Sequence, residues 1–99
     1  MPQLMLGQLA KSVAGRDKGR FMVVIDIINE NYVYVVDGDL RRVENPKKKK
    51  IKHLYLFNER IDFIAEKLKN NSEIHNEEIK KTLEKMVDEN PYGHKSNRI

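Results

Sequence analysis

Apolar residues recur with a period of two over the first part of the chain and with a helical period after residue 58. In Phe21–Ile28, the residues Phe21, Val23, Ile25 and Ile27 fall on one side of an extended strand. Met22, Val24, Asp26 and Ile28 fall on the other. Both sides are largely apolar, which predicts a central or strongly curved strand. Asn29-Glu30-Asn31 reads as a turn, since Asn tolerates left-handed backbone angles. Tyr32–Val36 then returns as the second strand of a hairpin. Asp37-Gly38 signals another turn. Leu40–Val43 and Lys52–Phe57 read as further short strands, and Leu6–Val13 opens the series. About five short strands within the first 57 residues predict a small, closed, strongly bent sheet, because closure removes exposed edges.

Beyond residue 58, Ile61, Ile64, Ala65 and Leu68 fall at the spacing of one helical stripe, with Asn58 as a candidate cap. Asn70-Asn71-Ser72 breaks that helix. A second is expected from near His75 or Asn76, with Glu77 and Glu78 favourably placed in its first turn. Ile79, Leu83, Met86 and Val87 form its stripe, and Asn90-Pro91 ends it. The expected organisation is a mainly β module over residues 1–57, a helical extension over 58–90 and a disordered tail over 91–99.

Charge adds a second division. Residues 1–57 hold eleven basic and six acidic side chains, whereas 58–99 hold eight and nine. The excess positive charge of the 99-residue chain, +4 overall, therefore sits in the first part, which suits a polyanionic partner. Cysteine is absent, so disulfides, thiol catalysis and thiolate metal sites are excluded. No window of about 18 apolar residues would span a membrane, and Met1–Gly7 does not read as a signal peptide. The expected location is cytoplasmic.

Gly15-Arg16-Asp17-Lys18-Gly19-Arg20 follows a strand and leads straight into a run of Val and Ile. This resembles the KOW motif of ribosomal proteins and transcription elongation factors. Gly19 matches the family's characteristic glycine. Gly7-Gln8, the Gly15–Arg20 loop, Val23-Val24-Ile25-Asp26-Ile27, Asn31, Val33, Val35 and Ile51-Lys52-His53-Leu54 together are similar to one subfamily. That subfamily comprises the archaeal and eukaryotic large-subunit ribosomal protein numbered fourteen and small bacterial KOW-domain relatives. Where many KOW sequences have another Gly after the loop, this chain has Phe21-Met22. The resemblance covers residues 5–57 and implies an SH3-like β-barrel that binds RNA, with ribosomal or other structured RNA as the partner.

The residue chemistry agrees with that expectation. Arg16, Lys18 and Arg20 project from a loop bracketed by Gly15 and Gly19, with only Asp17 opposing them. Cations on a short loop suit phosphates, whose contacts dominate affinity and carry little sequence information. Lys47, Lys48, Lys49 and Lys50 read as a loop between two strands, flanked by Arg41, Arg42 and Lys52. Such a run is either a phosphate patch or a solvated guard on a strand edge. His53 could stack on a base, or pack as a half-buried strand residue. Tyr32, Tyr34 and Tyr55 are candidate stacking residues, with one of Tyr32 and Tyr34 expected in the core and the other on the surface. Asp26 is expected to point outward or to accept a hydrogen bond from a nearby turn.

The three histidines share no ligand spacing, so no metal and no cofactor is expected. Gly15–Gly19 lacks the Gly-Lys-Ser/Thr ending of a nucleotide-phosphate loop, and no nucleophile–base pair stands out, so no enzyme is expected. The alternative reading is a protein–protein adaptor of the ribosome, translation or transcription machinery, working through its helices.

Overall fold

The computed structural model describes residues 3–89. Five strands are followed by two helices: β1 (Gln8–Ser12), β2 (Phe21–Ile27), β3 (Tyr32–Val36), β4 (Lys47–Lys50), β5 (Leu54–Arg60), α1 (Asp62–Lys69) and α2 (Asn76–Glu89). The strands form one antiparallel sheet in the order β4-β3-β2-β1-β5. A 3-10 turn at Ile51–His53 carries the chain from one end of this ladder to the other. This is the small SH3-like barrel-type fold that the family resemblance implies. Among the described residues, however, the 3-10 turn links β4 to β5, and no ladder pairs them.

Alternation along the strands feeds two apolar layers. Ala10, Met22, Val24, Val33, Val35, Leu54 and Leu56 fill the barrel interior. Leu9, Phe21, Val23, Val36 and Phe57 lie in a second layer, covered by Ile61, Ile64, Ile74, Ile79 and Leu83. The helical stripes are thus buried against the barrel, which shares one core with them. β2 is central, and its two apolar sides serve both layers. The register shift between Val24 and Asp26 then turns the strand outward. Phe21-Met22 sits in unbroken strand, both residues buried. Asp26 is exposed, and its Oδ1 accepts the Ile27 N–H at 2.9 Å.

Several boundaries differ from the sequence expectation. Leu40–Val43 forms no strand. The segment wraps around buried Asp37, whose Oδ1 accepts the N–H groups of Asp39 and Arg41 at 2.9 and 2.8 Å. β5 runs on through Arg60, so Asn58 is a strand residue and caps nothing. α1 starts behind Ile61, which has no side-chain cap and donates its N–H to the Gly7 carbonyl at 2.7 Å. Lys52 and His53 belong to the 3-10 turn, with β5 starting at Leu54. Lys47–Lys50 is itself a strand. α1 ends at Lys69 with Asn70 as its C-cap, and Asn71 takes the left-handed conformation with φ 56°. The expected stop at Asn90-Pro91 and the tail over 91–99 lie outside the described residues.

α2 is pinned to the loop before β4. Asn76 accepts the Val43 N–H at 2.7 Å and donates to Glu44 at 2.7 Å. That donation, with a second from Arg42, holds the Glu44 carboxyl down to about 2. Gly38 packs against the same helix. A Cβ there would collide with the backbone of Asn76 and lie 2.9 Å from the Lys80 nitrogen. Lys67 joins the helices through Glu78 at 2.8 Å, and this hydrogen bond outweighs burial to keep the Glu78 carboxyl below its ordinary value.

Candidate nucleic-acid interface

β4 is four identical residues, yet its alternation sorts them onto two faces. Lys49 pairs with Val33 and Lys47 with Val35, the inward-facing residues of β3. Lys48 pairs with Tyr34 and Lys50 with Tyr32, on the outward face. Lys49 is only 6% exposed, whereas Lys48 and Lys50 are open to solvent. Lys48 Nζ lies 4.7 Å from the Tyr32 ring centroid, a cation–π contact. Both Tyr32 and Tyr34 are half-buried on this face, and neither enters the core.

Lys49 belongs to a buried polar cluster. Its ammonium donates to Asp17 Oδ1 and to the Ala14 carbonyl, both at 2.8 Å. Ser12 Oγ donates to the same Asp17 oxygen at 2.8 Å. Burial alone would raise the pKa of Asp17. The hydrogen bonds from Lys49 and Ser12 outweigh that cost and hold its carboxyl below the ordinary value. Arg41 Nε approaches Asp17 Oδ2 at 3.9 Å. One carboxylate therefore gathers the β1–β2 loop, β4 and the Asp37–Arg41 segment.

This cluster decides which predicted cations face solvent. Arg16 and Lys18 are exposed on the loop and carry no ion pair among the described residues. The Gly19 N–H donates to the Ser12 carbonyl at 2.7 Å and closes the loop, with φ at +90°. Arg20 is half-buried and paired with Asp37 at 3.0 Å and Asp39 at 3.8 Å. Arg42 pairs with Glu44 at 3.0 Å, and Arg41 leans on Asp17. Lys47 is half-buried, Lys52 exposed and His53 half-buried. The His53 carbonyl accepts the Val13 N–H at 2.9 Å. Lys49 does not present its charge to solvent, because that charge is consumed by Asp17.

The sequence reading missed Asp17 as the organising residue, and with it Ser12. The available signal was a single acid within a basic loop, preceded by a hydroxyl five residues earlier. Among the described residues no group of three metal-ligating side chains gathers, and no helix is long and apolar enough to cross a membrane.

Fold and surface together define a small SH3-like barrel module with a basic, tyrosine-bearing hairpin and a helical cover on another side. No family model matches the chain. Its curated relatives include archaeal proteins named large ribosomal subunit protein eL14. The one from Staphylothermus marinus is 32% identical over 62 residues, covering 63% of this chain and 65% of the relative. The Desulfurococcus amylolyticus protein is 35% identical over 54 residues, 54% of this chain and 56% of the relative. The Hyperthermus butylicus protein is 33% identical over 89 residues, 85% of this chain and 79% of the relative. The chain thus spans somewhat under two thirds of the first two relatives and more than three quarters of the third. It belongs to the eL14 family of large-subunit ribosomal proteins.

Proposed function

We propose that this chain is a non-catalytic RNA-binding protein of the ribosome, docking on ribosomal RNA through the outward face of β3 and β4 and the tip of the β1–β2 loop. The naming of its relatives as large-subunit ribosomal proteins supports the ribosomal setting, and cytoplasmic residence follows from it. The observation that carries the interface is the alternation along β4. Lys48 and Lys50 stand outward beside Tyr32 and Tyr34, while Lys49 turns in and ties Arg16 and Lys18 to the same structure. The rigid bridge fixes the spacing of two cationic segments, which lowers the entropy lost when both engage a backbone. The alternative, a protein–protein adaptor working through its helices, draws less support, because Ile64, Ile79 and Leu83 of their apolar stripes are buried in the shared core.

The test is ultraviolet crosslinking in cells, comparing the natural chain with Lys48→Glu/Lys50→Glu. Crosslinks concentrated on one ribosomal RNA region, and lost in the variant, are the expected result. In solution the same variant should weaken RNA binding and flatten the dependence of log affinity on log salt by roughly two. Crosslinks that persist unchanged would remove this face from the interface.

A further inference from the structure

An open cleft of about 370 Å³ adjoins the basic face, lined by Glu30, Asn31, Tyr32, Lys50, Ile51 and Lys52. Its shape is set by hydrogen bonds. Asn29 Oδ1 accepts the N–H groups of Asn31 and Tyr32 at 2.8 and 3.0 Å, fixing the β2–β3 turn. The Ile51 N–H donates to the Asn31 carbonyl at 2.9 Å, which draws the end of β4 onto that turn. The lining combines an aromatic ring and an aliphatic side chain with two lysines, an amide and a carboxylate.

We infer that this cleft takes one unpaired nucleotide of the bound RNA, its base against Tyr32 and Ile51 and its flanking phosphates on Lys50 and Lys52. The inference rests on the RNA-binding reading above and adds to it. A regular A-form duplex offers phosphates, hydroxyls and a shallow groove, none of which needs an aromatic and aliphatic floor. An unstacked base does, since stacking on a side-chain ring is how proteins hold single nucleotides. Glu30 and the Asn31 amide at the rim can meet donors and acceptors on the base edge or a ribose hydroxyl. The Lys48 ammonium over the Tyr32 ring adds a positive charge beside the same nucleotide.

The experiment measures binding of the full chain to two short RNA duplexes that are identical except for one nucleotide bulged from the middle of one. The natural chain should prefer the bulged duplex by roughly tenfold, the effect of stacking a single base. Tyr32→Leu should abolish the preference, while Tyr32→Phe should keep it. Lys48→Glu should weaken both duplexes. Equal binding of the two duplexes by the natural chain, or a preference that survives in Tyr32→Leu, would overturn the inference and leave RNA binding standing. Failure to bind either duplex would overturn both.

Discussion

Asp17 shows how one buried carboxylate can organise a basic surface. Its partner Lys49 is as deeply buried as Asp17 itself, 6% exposed in each case. Removing the ammonium leaves the buried carboxylate without its hydrogen-bonded counterion, with only Arg41 at 3.9 Å remaining, and broken buried pairs cost several kcal/mol. Lys49→Met is therefore expected to lower unfolding free energy by about 3 kcal/mol in urea denaturation, whereas Lys48→Met should change it by less than about 0.5 kcal/mol. Acid should shrink the difference. In the natural chain the folded carboxyl titrates below its ordinary value of 3.8, so its stabilisation is complete above that pH and fades as pH falls through the lower, folded pKa. In Lys49→Met the ammonium's hydrogen bond and charge no longer offset burial, and only the Ser12 and backbone hydrogen bonds still do. The carboxyl therefore rises relative to the natural chain, and acidification relieves part of the buried charge. The gap between the two proteins should be widest near pH 7 and narrower near about pH 3. A gap independent of pH would mean that lost packing, not the charge pair, sets the effect.

At the scale of elements, the turns and helix contacts separate two uses of glycine. Gly19 has φ +90° and nothing within 4 Å of where a Cβ would stand, so Gly19→Ala should cost only the backbone penalty of about 1–2 kcal/mol. Gly38 has φ +79° and also the backbone of α2 in its path. Gly38→Ala should cost clearly more, about 3 kcal/mol, and shift α2, seen as a larger drop in thermal midpoint. Equal losses would mean that α2 yields without strain.

β2 was legible from its dense run of apolar, mostly β-branched residues in Phe21–Ile27, and α2 from the helical spacing of Ile79, Leu83, Met86 and Val87. β4 was not, because four identical lysines carry no visible alternation, and only pairing with β3 reveals which of them turn inward. Asn58 looked like a cap because helix-capping chemistry is local, whereas the extension of β5 to Arg60 is decided by its partner β1, where Gln8 pairs with Arg60. The loop Gly15–Arg20 and its cations were recognised from the two bracketing glycines and the resemblance to the KOW motif. That Arg20 is neutralised by Asp37, and Lys49 by Asp17, depends on residues 17 and 32 positions away, which no local pattern records.

For the whole molecule, the shared core sets what can be cut away. Leu9, Val23 and Val36 on the barrel are covered by Ile64, Ile79 and Leu83 from the helices. A chain ending at residue 60 would expose that layer to water. It should lack a cooperative urea transition, and its RNA affinity should fall with its fold rather than through any lost contact. A sharp transition in this shortened chain would show the helices to be accessory.

The same covering layer has a consequence for synthesis. Residues are made in order, and the pieces that seal the second apolar layer, Ile79 and Leu83, leave the synthetic machinery long after the barrel strands they cover. Until they arrive, the strand segments lack the cover on which their fold depends, and the nascent chain exposes apolar residues beside the charged β4 segment. The charged edge discourages strand-to-strand association of neighbouring nascent chains during that interval. The lysines proposed to meet RNA in the finished protein thus also set like charges against one another on neighbouring nascent chains while the fold is still incomplete.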